Sequence, residues 1–361
     1  MRRLTFFLKI AIMIRKLMNI GISLFTGTII VFILYLISGT PNTHKNGFTR
    51  NIKSHFVTTY RAINLQERSS EFNGATNNSI YINNPKNPIE ISEVDYYLSK
   101  KQLTGWQFSI QPKLNSTTVG IDSPFIDIYQ REKGNITTYI FDRGVLNLSS
   151  DDSIPGRQFD LAQRISANSF VLRTRNSQLR QFTLTKLSPR HAFYKENTNA
   201  ISKQMDGYLS ADGLLLFDKA TSKIIYVYFY RNQYLILDSN LQILQIARTI
   251  DTVTRAQFTL HSFAKEKYTT FDSPPQIINK STCVWKGRLY VQSMLLSDNE
   301  DRKMFSNNTT IDMYDLANGT YLNSFYIPRF NGHKVEEFRV YDTLLMAIQG
   351  NFIVSYLINK G

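Results

Sequence analysis

From about residue 76 onward, short apolar runs recur between turn residues, the pattern of strands rather than helices. Several runs come in pairs around a turn. "TIDMYDLANGTYLNSFYIP" (Thr310 to Pro328) alternates apolar and polar residues on either side of Asn318-Gly319. "FIDIYQREKGNITTYIF", from Phe125, repeats the plan: Ile126-Asp127-Ile128-Tyr129 matches Ile311-Asp312-Met313-Tyr314, and Gly134 matches Gly319. The matched positions lie 185 residues apart throughout. Looser pairs are "YLILDSNLQILQI" from Tyr234, "FVLRTRNSQLRQFTL" from Phe170 and the C-terminal "LLMAIQGNFIVSYLI". "SKIIYVYFYRNQYLILD" pairs two strands around Arg231-Asn232, and "KGRLYVQSMLL" precedes the Thr310 hairpin.

Two hairpins make a four-stranded module that is apolar on both faces and cannot stand alone. Stacking such modules radially buries both faces, the logic of a β-propeller. Residues 76–361 hold six blades at about 40–50 residues each, with five or seven as alternatives. A β-sandwich of unrelated hairpins is the competing arrangement. "SPRHAFYKENTNAISKQMDG" and "SDNEDRKMFSNN" read as inserted loops.

The N-terminal region breaks the strand pattern. Residues 20–38, "IGISLFTGTIIVFILYLIS", carry no charge and suffice for a membrane-spanning helix, which needs about 20 residues. Residues 1–19 contain five basic residues and no acid, and read as a basic cytoplasmic tail. The positive-inside rule then puts the C-terminal domain outside, in the periplasm of a bacterial inner-membrane protein. A cleaved signal peptide competes, but the apolar stretch is long and "LISGTPNT" is a poor cleavage site. Residues 39–75 read as a stalk, in which "FVTTYRAINL" from Phe56 is alternatively a first strand.

Composition supports this picture. With 42% hydrophobic and 19% charged residues the chain can bury a core, and 24 Phe with 20 Tyr favour strands. The single cysteine, Cys283, excludes an intrachain disulfide and a Cys-based zinc site, and its strand-like setting makes it a buried small side chain. The net charge is +14, but no basic stripe with interleaved aromatics marks a nucleic-acid surface.

Catalytic motifs are missing. The five histidines, His44, His55, His191, His261 and His333, form no close metal pair. There is no nucleophile elbow, P-loop or dinucleotide fingerprint. "SDNED" (Ser297 to Asp301) clusters acids without the spacing of a calcium loop. No cofactor and no metal are expected.

The chain resembles a group of uncharacterised, N-terminally membrane-anchored β-propeller-like proteins of Bacteroidota. The stretches that carry the resemblance are "SIYINNPKNPIEI", "QMDGYLSADGLLLFD", "YVYFYRNQYLILD", "RTIDT" and the Thr310 hairpin. It spans most of residues 79–359 and implies a periplasmic, inner-membrane-anchored propeller. It supplies no catalytic residues.

Four residues stand out as ligand-binding candidates. Asp206 precedes "YLSADG", Tyr230 and Arg231 interrupt an aromatic run with a charge, and Asp251 ends a strand. The alternative is that they form turns and cap backbone N–H groups. The expected function is non-enzymatic binding of a periplasmic protein, peptide or glycan. The alternative is a propeller enzyme acting on glycans or a redox substrate at the central channel.

Overall fold

A computed structural model of the chain describes residues 2–38, 45–66, 70–109, 116–153, 158–188, 193–263 and 268–359. It divides into two units, Met1–Lys45 and Asn46–Gly361.

The first unit is one helix, α1 (Arg2–Ser38). Its apolar part is Met13–Leu34, 22 residues, about 33 Å at 1.5 Å per residue, long enough to cross a membrane. The residues expected as a basic tail and those expected as the span share this one helix. Arg15 and Lys16 lie inside the same helix, with no proline to stop it. The hydroxyls of Thr26 and Thr28 donate to the carbonyls of Ile22 and Leu24, both at 2.8 Å, so these polar side chains are satisfied within the helix.

The second unit is a six-bladed β-propeller. β1 (Val57–Asn64) belongs to the last blade. Blade 1 is β2 (Glu71–Ala75), β3 (Ser79–Asn84), β4 (Asn87–Asp95) and β5 (Lys101–Leu103). Blade 2 is β6 (Thr117–Asp122), β7 (Phe125–Gln130), β8 (Asn135–Asp142) and β9 (Val145–Ser153). Blade 3 is β10 (Phe159–Ser166), β11 (Ser169–Asn176), β12 (Gln181–Ser188) and β13 (Phe193–Asn197). Blade 4 is β14 (Gly213–Asp218), β15 (Lys223–Tyr228), β16 (Tyr234–Leu237) and β17 (Ile243–Ala247). A separate hairpin follows, β18 (Leu260–Phe263) and β19 (Tyr268–Phe271). Blade 5 is β20 (Asn279–Trp285), β21 (Arg288–Ser293), β22 (Asn308–Asp315) and β23 (Thr320–Pro328). Blade 6 is β24 (Glu337–Tyr341), β25 (Leu344–Gln349) and β26 (Phe352–Ile358), completed by β1 on its outer edge.

The first strands contact one another in cyclic order, β2, β6, β10, β14, β20, β24 and back to β2. The core follows the same ring. Six principal apolar clusters each lie between two neighbouring blades. Six blades with six filled interfaces form a closed ring, since an open row of six would have five. This explains the unbroken apolar runs. Along β15, Ile224, Tyr226 and Tyr228 face blade 3 while Ile225 and Val227 face blade 5, so both faces of the strand are buried.

Near the axis the inner strands come close enough to pair. β2 and β6 join in parallel through Gly74↔Ile121 and Ala75↔Asp122. A Cβ on Gly74 would sit 1.9 Å from the Ile121 carbonyl oxygen, so only glycine fits.

Several expectations need correction. The segment read as a stalk is largely part of the propeller: Asn46 and Gly47 bond Asp298, Ile52 bridges Ser324, and "FVTTYRAINL" is mainly β1. Residues 39–44 lie outside the described residues. The two long loops carry structure: β13 lies within the first, and α2 (Arg302–Asn307), capped by Asp301, within the second. Residues 189–192 of the first lie outside the described residues.

The register match between the Phe125 and Thr310 hairpins is also not a match of blade position. Phe125 starts the second and third strands of blade 2, whereas Thr310 lies in the third and fourth strands of blade 5. Both turns share a left-handed glycine, Gly134 at φ 66° and Gly319 at φ 69°, so the likeness lies in the hairpin and not in its place within the blade.

Candidate functional site

Take the upper face as the one where each first strand begins. The antiparallel order then puts the loops between second and third strands, and the links between blades, on that face. All four candidate residues lie there, around blade 4.

Asp206 spends its carboxylate on the backbone. Its oxygens accept from the N–H groups of Tyr208 (3.1 Å), Leu209 (2.8 Å) and Ser210 (2.7 Å), holding the short 3₁₀ turn Leu209–Ala211. Asp251 does likewise, accepting from the Thr249 hydroxyl at 2.6 Å and the Val253 N–H at 3.0 Å. Burial raises its carboxyl pKa above the ordinary aspartate value despite those hydrogen bonds. Tyr230 packs edge-on against Phe258 and Phe271, and burial pushes its hydroxyl up to about 12. This aromatic trio roots the β18–β19 hairpin on blade 4.

Arg231 is the exception among them. It is 1% exposed, the largest fully buried side chain described. Its Nη2 donates to the Ser202 carbonyl (2.9 Å) and hydroxyl (2.7 Å), while Nε and Nη1 have no hydrogen-bond partner. The guanidinium lies 3.6 Å from the Tyr228 ring centroid. Among the described residues no carboxylate pairs with it, and burial lowers its pKa. The structure therefore joins Arg231 to Ser202, and links Asp251 to the same loops through Asn232, whose amide donates to the Asp251 carbonyl at 2.5 Å. None of the four lines the cavity on the propeller axis.

The other buried arginines are fully matched. Arg173 reaches Asp160 with Nε and Nη2 (both 2.8 Å), and Asp212 (2.6 Å) and the Tyr226 hydroxyl (2.9 Å) with Nη1, tying blade 3 to blade 4. Arg164 of blade 3 bonds Asp127 of blade 2, Nε to Oδ2 at 2.6 Å.

Sequence reasoning missed a second region. A cavity of about 300 Å³ occupies the axis and is lined from all six first strands. Its apolar wall includes Leu215 and Phe217 of β14. Its polar wall includes Asn73, Gln163, Arg164 and Arg339. The Arg339 side chain is 32% accessible although protein surrounds it, because it faces this interior space. It pairs with Glu337, and at the upper end burial and the nearby Glu337 raise the pKa of Glu71. At the lower end Lys219 of the β14–β15 turn pairs with Asp122 of blade 2, spanning blade 3. Each strand contributes only a few lining residues, so no linear motif marks the site. Cys283 also lines it; it is buried and accepts from the Val340 N–H at 3.2 Å.

Among the described residues no group of three or more His, Cys, Asp or Glu is placed to hold a metal. His44 and His191 lie outside them. The acids of "SDNED" have protein partners: Asp298 binds Asn46 and Gly47, Glu300 binds Arg50, and Asp301 caps α2.

Among solved structures, the chain is similar to a member of the DUF4221 family from Bacteroides vulgatus, with 11% identity and a TM-score of 0.48, covering 87% of this chain and 99% of that one. It is similar to the WD40 beta propeller domain of Doa1, with 8% identity, a TM-score of 0.44 and coverage of 85% and 99%. It is also similar to a chain of a Mitotic Checkpoint Complex, with 8% identity, a TM-score of 0.47 and coverage of 86% and 95%. No protein-family model and no curated protein matches the sequence. The fold assignment rests on strand order and the six interfaces between blades.

Proposed function

We propose that the chain is a membrane-tethered binding module rather than an enzyme, held in a bacterial inner membrane by α1 with its propeller in the periplasm. We assign it to the anchored propeller-like Bacteroidota proteins on the sequence stretches quoted above. The observation that carries the binding role is an apolar rim on the upper face. Met205, Ile277 and Met294 are 51%, 38% and 43% exposed on loops of blades 4 and 5. These loops are tied together: Met294 N–H donates to the Ile278 carbonyl at 2.9 Å, and Gln204 donates to the Thr254 carbonyl at 2.9 Å. Flexible methionines on a fixed frame suit a protein or peptide partner. Arg231, Asp206, Tyr230 and Asp251 lie beneath that rim and set its loops.

A photocrosslinker at Met205 or Ile277 in native membranes tests this. The expected result is capture of a discrete partner, lost in Met205→Glu and Ile277→Glu. Absence of any captured partner, together with turnover of a substrate by the purified protein, overturns it. Carbonate washing tests the anchor: release of the protein in soluble form contradicts it. Protease access in spheroplasts tests the side of the membrane.

The enzyme alternative, acting on glycans or a redox substrate at the central channel, draws on one observation, the raised carboxyl pKa of Glu71 beside Glu337.

A further inference from the structure

The axial cavity has a composition that specifies a ligand. Its volume of about 300 Å³ equals roughly ten waters at about 30 Å³ each, or a molecule of about that many non-hydrogen atoms. Its charges cancel locally. Arg164 is paired with Asp127, Arg339 with Glu337, and Lys219 with Asp122. A net charge held by the lining residues would find no free countercharge among them.

What remains unpaired is neutral and amide-like. The Gln163 side chain lines the cavity and makes no hydrogen bond to the described residues. Asn73, 8% exposed, donates its amide to the Val119 carbonyl at 3.2 Å and leaves its buried Oδ1 without a partner. Carboxamides offer donors and acceptors together, which matches hydroxyl groups. On the next inner strand to Gln163, and across the ring from Asn73, Leu215 and Phe217 give an apolar surface suited to a C–H face.

We infer that the axial cavity is a binding site for a neutral polyol the size of a single sugar ring. Gln163 and Asn73 hold its hydroxyls and Phe217 its apolar face. The inference rests on reading the domain as a binder and adds a second ligand class at a separate place from the upper rim. A hollow of about 260 Å³ lined by Lys219 shares Asp122, Arg164 and Phe217 with the cavity. The Lys219–Asp122 pair therefore stands where the two spaces adjoin.

The test uses the full-length chain in lipid nanodiscs, free of sugar-based detergents. Saturation-transfer NMR is recorded with glucose, galactose, mannose, N-acetylglucosamine and myo-inositol, and with acetate, glucuronate and glucosamine as charged probes. At least one neutral probe is expected to bind, with affinity at least tenfold weaker in Gln163→Leu and in the near-isosteric Gln163→Glu. Lys219→Ala is expected to speed exchange. A cavity holding only water, charged probes binding as tightly as neutral ones, or binding unchanged in both Gln163 variants overturns the inference. Conversion of a bound sugar to product would remove the non-enzymatic reading and leave this site assignment standing.

Discussion

Arg50 and Asp312, 262 positions apart, form a buried two-point contact, Nε to Oδ1 at 2.8 Å and Nη2 to Oδ2 at 3.1 Å. Arg50 also meets Glu300, the Ser293 hydroxyl and the Leu295 carbonyl, so its guanidinium is fully engaged. The side chains of Arg50 and Asp312 are 0% and 2% exposed. This contact pins the N-terminal segment of the propeller to blade 5. The same constellation recurs where Arg164 meets Asp127. In each case the aspartate also accepts from the hydroxyl directly across the hairpin, Ser324 on Asp312 and Thr138 on Asp127.

Arg50→Met leaves two buried carboxylates without a cation. The expected loss is about 3–5 kcal/mol, the usual consequence of removing one partner of a buried pair. Urea unfolding of the full-length protein measures it. Adding Asp312→Asn and Glu300→Gln to that variant should recover part of the loss, since the stranded charges are then gone.

Arg231→Met should do the opposite. Here the buried cation has no carboxylate, and an apolar side chain of similar length removes a desolvated charge. Thermal unfolding is expected at the same or a higher temperature than wild type. A marked drop would show that stacking on Tyr228 and the two bonds to Ser202 outweigh the desolvation.

Asp251 supplies a pH signature. Its pKa is raised in the folded state, so folding favours its protonated form. Stability from this group is present below the unfolded value, near 3.9, and is lost as pH rises through the higher folded value. Asp251→Asn stays neutral and keeps an acceptor for the Val253 N–H. Its melting temperature relative to wild type should climb as pH rises above about 4 and level off once the folded-state carboxyl is ionised. A difference that does not change with pH would refute the assignment.

Much of the fold was legible because a propeller strand is buried on both sides. Runs such as "IIYVYFY" record that burial directly, and the turn residues mark where strands end. A strand's position within its blade was not legible. The Phe125 and Thr310 hairpins share turn glycines and an aspartate, yet hold different strand positions. Nor was the role of β1, which is mostly exposed and shows no alternation; nothing local indicates that its partner is β26. At the site, Asp206 and Asp251 were visible as polar breaks in apolar runs, but a sequence does not separate a cap from a ligand. Gln163 and Asn73 sit in ordinary strands and gain meaning only once six blades surround an axis.

A chain beginning at Thr76 lacks β1, β2 and the Arg50 segment. It should fail to give a cooperative melt, because blade 6 loses its outer strand and blade 1 its inner one. Supplying residues 46–75 as a separate peptide should restore a transition; a cooperative melt without it would contradict the closure described here.

The pairing of β1 with β26, Val57 opposite Ile358 and Asn64 opposite Phe352, also sets an order of events during biosynthesis. β1 is made roughly 290 residues before β26, its ladder partner among the described residues. At about 5–20 residues per second, roughly 15 to 60 seconds separate the two. Throughout that interval β1 must travel with the nascent chain without its partner, and the ring can shut only once β26 has left the ribosome.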